Sequence, residues 1–279
     1  MDRKKVMIPD LIAKKRAGKK ITMLTAYDYP TAKLADGAGI DCILVGDSLG
    51  MVVLGYDSTV PVTMDEMIHH SKAVRRGTKY AFLIGDMPFM SYQVSAEEAV
   101  RNAGRFMKEA CCDAVKLEGG YEVLGVTKAI IDAGIPVLGH LGLTPQTVSK
   151  LGGYKVQGAD SRTAKKLLDQ ALKLEEAGSF AIVLECVPDR VAGYITGKLK
   201  IPTISCGAGP SCDGQVLVTN DMLGLFDRFV PRFVKQYARL SVSISDAFRK
   251  YKAEVESGKF PGPEHLFSIK DEELKKLKR

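Results

Sequence analysis

The sequence predicts a (β/α)8 barrel with a C-terminal helical extension, and three observations point there. Eight short apolar runs, most ending in Gly or Asp, recur along 279 residues. They read as nearly continuous hydrophobic segments, the pattern of parallel strands covered on both faces. Helix-length amphipathic stretches separate most of them, so strands and helices take turns, and a count of eight favours closure into a barrel over an open doubly wound sheet.

The predicted strands are 21–27, 42–47, 82–87, 114–119, 136–141, 180–187, 202–207 and a weaker one at 216–219. Thr63-Met-Asp-Glu66 and Ser95-Ala-Glu-Glu98 read as capping boxes, in which hydroxyl and carboxylate each satisfy an orphan backbone N–H. Further helices are predicted over 122–133, 162–177 and 189–198. Two connections, 49–63 and 142–160, are long for loops that follow strands, and at the C-terminal face of a barrel such loops cover substrate. Past residue 224 the pattern turns helical and basic. The division expected is a basic N-terminal arm (1–19), one catalytic barrel (20–267) and a charged tail (268–279).

Apolar residues make up 46% and charged residues 26%, ordinary for a globular enzyme. The net charge of +7 sits at the ends: residues 1–20 carry eight basic and two acidic groups and the last ten carry five and three, leaving about −1 between. No aromatics interleave the N-terminal charges, so a solvated arm is expected and nucleic-acid binding is not. No uninterrupted apolar run of bilayer length occurs, so no membrane span is expected. Six cysteines without C-x-x-C spacing fit a reducing cytoplasm.

Asp47 and Asp86 close two apolar runs with matching sequences, Val45-Gly-Asp47 and Ile84-Gly-Asp86. On neighbouring barrel strands they would converge at the catalytic rim and bind a hard cation; the competing reading is two helix or turn caps. Lys116 and Glu118, two apart in one strand, point to the same side. Beside a metal and an anionic substrate they have a purpose, with Glu118 as third carboxylate and Lys116 meeting a carboxylate or keto oxygen; otherwise they are a structural ion pair. Glu185 ends the apolar Ile182-Val-Leu-Glu185, where desolvation of an isolated carboxylate suits an acid/base. His140 ends another strand and is a binding or supporting candidate. Ser48 could donate to a bound carboxylate, and Tyr27 could offer a phenol. Gly193–Lys198 only faintly resembles a phosphate loop and falls within a helical pattern, Gly207-Ala-Gly209 reads as tight-turn glycines, and His69-His70 has no third ligand at zinc spacing.

Eight motifs in order carry a resemblance over residues 20–267. They are Thr25-Ala-Tyr-Asp-Tyr29, Val45-Gly-Asp-Ser-Leu-Gly50, Gly55-Tyr-Asp-Ser-Thr59, Val115-Lys-Leu-Glu-Gly-Gly120, Gly139-His-Leu-Gly-Leu-Thr-Pro-Gln146, Gly152-Gly-Tyr-Lys-Val-Gln-Gly158, Leu184-Glu-Cys-Val-Pro188 and Ala253-Glu-Val-Glu-Ser-Gly258. Through them the chain resembles the ketopantoate hydroxymethyltransferases. The resemblance implies a cytoplasmic (β/α)8 barrel assembling as a homo-oligomer, typically a decamer, that uses Mg2+ and 5,10-methylenetetrahydrofolate. It implies metal binding by Asp47 and Asp86, with Glu118 direct or through water. Ser48, Asp86 and Lys116 would contact the oxo acid, and Glu185 would act as acid/base. The chain departs from the pattern at Ser205 and Cys206, where a Gly and an aliphatic residue are usual, and in its basic arm. The rivals are a metal-dependent 2-oxo acid lyase or phosphomutase on a similar barrel, and a non-catalytic assembly or nucleic-acid-binding protein using the arm.

Overall fold

A computed structural model of the chain describes residues 3–148, 153 and 155–277. Within the Gly152–Gly158 motif, residues 152 and 154 lie outside the described residues. Eight parallel strands close into a barrel in sequence order, β1 pairing with β8. They are β1 (Ile21–Thr25), β2 (Cys42–Val45), β3 (Phe82–Asp86), β4 (Ala114–Glu118), β5 (Val137–Gly142), β6 (Ala181–Glu185), β7 (Thr203–Cys206) and β8 (Gly214–Leu217). The last differs most from expectation, starting two residues earlier, because Gly214 already pairs with Ile21 and Ile204.

Eleven helices are named here: α1 (Ile8–Arg16), α2 (Tyr29–Gly37), α3 (Leu49–Val52), α4 (Met64–Gly77), α5 (Ala96–Ala110), α6 (Leu124–Asp132), α7 (Ser161–Glu176), α8 (Asp189–Lys198), α9 (Thr219–Met222), α10 (Leu240–Glu256) and α11 (Asp271–Lys276). Thr63 and Glu66 form the reciprocal cap of α4. At α5 only half the expected box forms: Ser95 accepts from Glu98 N at 3.1 Å, while no return bond from the Glu98 carboxylate is present. Alternation stops after β7, since residues 207–213 reach β8 without a helix.

Inside the barrel Met23, Leu44, Ile84, Leu138, Val183 and Ile204 pack together. Outside, α2, α4, α5 and α6 bury their apolar stripes on the sheet in one cluster and α7 and α8 in another. Gly85 is required for this layer. A Cβ there would stand 2.2 Å from the Phe106 ring, so glycine lets α5 lie on the strand backbone, and burying Phe106 contributes about 1.5–3 kcal/mol.

The N-terminal arm is not solvated as expected. Leu11 of α1 is buried with the interior strand residues, and three lysines pair with aspartates just before strand starts: Lys5–Asp113 at 2.5 Å, Lys14–Asp41 at 2.5 Å and Lys15–Asp213 at 2.7 Å. The arm closes the N-terminal end of the barrel, and these pairs account for three of the eight basic residues at positions 1–20. At the other end of the chain, α10 buries none of its residues, and Val242, Phe248 and Tyr251 are exposed.

Candidate functional site

The strand C-termini carry a cavity of about 630 Å3 whose lining includes Asp47, Ser48, Asp86, Lys116, Glu118, His140 and Glu185. Asp86, Glu118 and Glu185 end their strands, Lys116 and His140 stand two residues before the ends of theirs, and Asp47 and Ser48 follow β2. Register brings them together: Asp86 pairs with Lys116, Glu118 with His140, and Gly142 with Glu185. Gly142, at φ +97, permits the last of these, since a Cβ there would stand 2.1 Å from the Glu185 carbonyl oxygen.

Asp47 and Asp86 both line the cavity, and the Asp47 N–H donates to Asp86 Oδ2 at 3.1 Å. Lys116 Nζ stands 2.7 Å from Asp86 Oδ1, 3.6 Å from Glu118 Oε1 and 3.3 Å from His140 Nδ1. The His140 ring continues the cluster, with Nδ1 3.4 Å from Glu118 Oε1 and Nε2 3.1 Å from Glu185 Oε2. Glu185 is therefore not the isolated carboxylate that its apolar strand suggested. Tyr27 Oη and Ser48 Oγ share a hydrogen bond of 2.8 Å, so Tyr27 acts on the serine and stays buried itself.

Burial and charge together set the protonation of this group. Burial, then repulsion from Asp86 and Glu118, holds the Asp47 carboxyl well above the usual carboxylate range, against the pull of Lys116 and Gln146. Burial raises Asp86 too, with Lys116 opposing. For Glu118, burial is outweighed by Lys116 and His140, and its carboxyl falls below the ordinary value. Burial and Lys116 disfavour a charged His140, but Glu118 and Glu185 prevail and lift it to about 9. Four carboxylates share two cations. A cation would take the place of the protons that burial holds on Asp47 and Asp86, which suits a hard ion with oxygen ligands. Among the described residues no three His, Cys, Asp or Glu side chains are arranged to hold a metal ion together, and Lys116 stands between Asp86 and Glu118.

Two contributors escaped the sequence reading. Gln146, in the turn after β5, donates its Nε2 to Asp47 Oδ2 and Met87 O at 2.9 Å, while its backbone N–H donates to Glu118 Oε2 at 3.1 Å. Tyr92 donates to Gln146 Oε1 at 2.6 Å and accepts from Glu118 N at 3.2 Å. Gln146 ended one of the motifs quoted above, and that was its only signal. Elsewhere, Gly193–Lys198 lies in α8 and His69-His70 in α4, away from the cavity lining.

The family model described as ketopantoate hydroxymethyltransferase matches residues 5–263. A curated relative from Syntrophomonas wolfei, named 3-methyl-2-oxobutanoate hydroxymethyltransferase, is 59% identical over 98% of this chain and 99% of its own length. One of the same name from Moorella thermoacetica is 60% identical over 95% and 98%. Among solved structures, phosphonopyruvate hydrolase in complex with oxalate and Mg2+ superposes with a TM-score of 0.59 at 15% identity, covering 95% of this chain and 92% of that one. A 2,3-dimethylmalate lyase of the PEP mutase/isocitrate lyase superfamily gives 0.59 at 14% identity over 96% and 93%. These two share the barrel. The match over nearly the whole sequence decides membership: the chain belongs to the ketopantoate hydroxymethyltransferase family.

Proposed function

We propose that this transferase moves a hydroxymethyl group from 5,10-methylenetetrahydrofolate to 3-methyl-2-oxobutanoate, giving 2-dehydropantoate for pantothenate biosynthesis. The observation that carries the reading is the gathering of Asp47, Asp86, Lys116, Glu118 and Glu185 around one cavity. Asp47 and Asp86 would hold Mg2+, with Glu118 completing the set directly or through water. When bound, the ion supplies a Lewis acid that draws negative charge off the oxo acid as its C3 proton leaves.

Lys116 meets the substrate carboxylate or keto oxygen, and Ser48, held by Tyr27, donates to the same carboxylate. Glu185 accepts the C3 proton, and His140, 3.1 Å away, steadies its charge before and after. The carbanion forms a bond to the folate methylene carbon. That carbon is freed for attack as one of its two carbon–nitrogen bonds opens to an iminium. After the new carbon–carbon bond forms the second breaks, water supplies the hydroxyl oxygen, and the C3 proton and one proton of water end on the two nitrogens of the departing tetrahydrofolate. Apolar cavity walls from Leu143, Val183 and Phe229 keep bulk water from quenching the carbanion.

A homo-oligomer of the decameric kind implied by the resemblance is part of the proposal, supported by the exposed Val242, Phe248 and Tyr251 on α10. So is a cytoplasmic location. Neither a nucleic-acid nor a membrane partner is included: three lysines of the basic arm are taken up in ion pairs, and among the described residues no helix is long and apolar enough to cross a bilayer.

The test is purified protein with 3-methyl-2-oxobutanoate and methylenetetrahydrofolate. Ketopantoate and tetrahydrofolate should form in equal amounts, stop with a chelator and return with Mg2+. Cleavage of a single oxo acid without folate would move the chain to the lyase chemistry, and a chelator-insensitive rate would remove the metal.

A further inference from the structure

Across the barrel from Lys116, the rim over β8 and β1 holds an acid that the mechanism above leaves unused. Asp221 is 8% exposed and lines the cavity. Among the described residues its carboxylate has no hydrogen-bond or ion-pair partner, and burial pushes it up to about 6. Its backbone cannot easily turn away. Thr219 N donates to Thr25 Oγ1 at 3.0 Å, Thr219 Oγ1 donates to Thr25 O at 2.5 Å, and Asn220 Nδ2 donates to Val52 O at 3.2 Å. Its oxygens are not sealed off from the cavity, so an unpaired carboxylate fixed in this wall is open to a donor brought by a ligand.

The neighbouring wall narrows the ligand class. Phe226 and Phe229 meet edge to face at 5.7 Å and line the cavity. Phe233 packs over Gly207, where a Cβ would come within 2.5 Å of its ring. Arg232 lines the same wall and makes no ion pair or hydrogen bond among the described residues. A small anionic oxo acid suits this side less, because Asp221 repels it and Arg232 is set here against the two cations Lys116 and His140 across the barrel. A flat heterocycle with a donor–donor edge and an anionic tail does suit it. The 2-amino-4-oxopteridine of a folate has that edge in its N3–H and 2-amino group, which a carboxylate accepts in parallel. The cavity volume, about 630 Å3, also falls in the range of sites for ligands larger than a five-carbon acid.

We propose that Asp221 recognises the reduced pterin of the folate donor through N3–H and the 2-amino group, that Phe226 and Phe229 wall the ring, and that Arg232 meets the glutamate carboxylates of its tail. The proposal rests on the folate-dependent reading given above and adds the residues that would select the donor. It also assigns the two substrates to opposite sides of the barrel, so that the donor's methylene carbon is presented toward the centre.

The experiment is Asp221→Asn, which keeps the side-chain shape and exchanges one acceptor for a donor. KM for methylenetetrahydrofolate should rise roughly 10- to 100-fold. Exchange of the C3 hydrogen of 3-methyl-2-oxobutanoate for deuterium, measured without folate, should keep its wild-type rate. A second measurement needs no variant: wild-type protein should disfavour a 2-desamino pterin donor, and Asp221→Asn should lose that discrimination. An unchanged KM with discrimination intact overturns the proposal, as does a deuterium exchange rate that falls in step with turnover. Wild-type protein that never consumes methylenetetrahydrofolate overturns the underlying reading instead.

Discussion

Both ends of this barrel are built from lysines and carboxylates, yet the two sets behave differently. At the N-terminal end each aspartate has its own lysine and its own strand N–H: Asp41 takes Lys14 and Thr22 N, Asp113 takes Lys5 and Leu83 N, and Asp213 takes Lys15 and Thr203 N. These pairs are partly open to water, with Lys14 at 32% exposure. At the C-terminal end four carboxylates share Lys116 and His140, and the side chains of the Lys116–Asp86 pair are 5% and 2% exposed. The residue types do not separate structure from chemistry. Stoichiometry and water do: a matched, half-wet pair fastens a segment, whereas a dry surplus of one sign is stable only if something else is to bind.

Three substitutions test that contrast, beginning with the largest effect. Glu185→Gln removes the proposed proton acceptor and should lower turnover ~100- to 10,000-fold. NMR of C3 deuterium exchange on the oxo acid checks it, and wild-type exchange in the variant would clear Glu185 of that role. Lys116→Met leaves Asp86 and Glu118 without their shared cation and should cost about 3–5 kcal/mol, read as a fall in Tm of roughly 2–4 °C per kcal/mol. Its pH dependence has a definite sign. Lys116 lowers the carboxyl pKa of both acids, so its loss raises their folded values, and the variant's deficit should deepen as pH rises and shrink toward acid. Lys14→Met, at the matched end, should cost only about 0.2–1 kcal/mol and leave turnover alone. Denaturant melts and a steady-state assay on the same preparation settle it; a deficit as large as that of Lys116→Met would erase the distinction between the ends.

Much of this architecture was legible before any coordinates. Strands buried on both faces are continuous apolar runs, and a strand that ends on a carboxylate at a barrel rim declares itself, as Asp86, Glu118 and Glu185 do. What escaped has a common physical cause. Gln146 reaches the carboxylates, Tyr92 the backbone of Glu118 and Asp221 the cavity, all from segments beyond the strands, and no periodicity says where such a side chain will point. Local charge patterning also misled at the N-terminus: eight basic residues looked like a solvated arm because their acidic partners, Asp41, Asp113 and Asp213, stand far away in sequence. The half-formed box at Ser95 has a similar lesson, since a motif gives the reach of Glu98 but not whether the carboxylate returns to the backbone.

The imidazole of His140 touches Glu118 through one nitrogen and Glu185 through the other, with Lys116 alongside. A proton arriving on any of these groups is therefore felt by all of them. Activity plotted against pH will show inflections that belong to the ensemble, and no limb of such a curve can be credited to one side chain unless substitution and spectroscopy of the ring are read together.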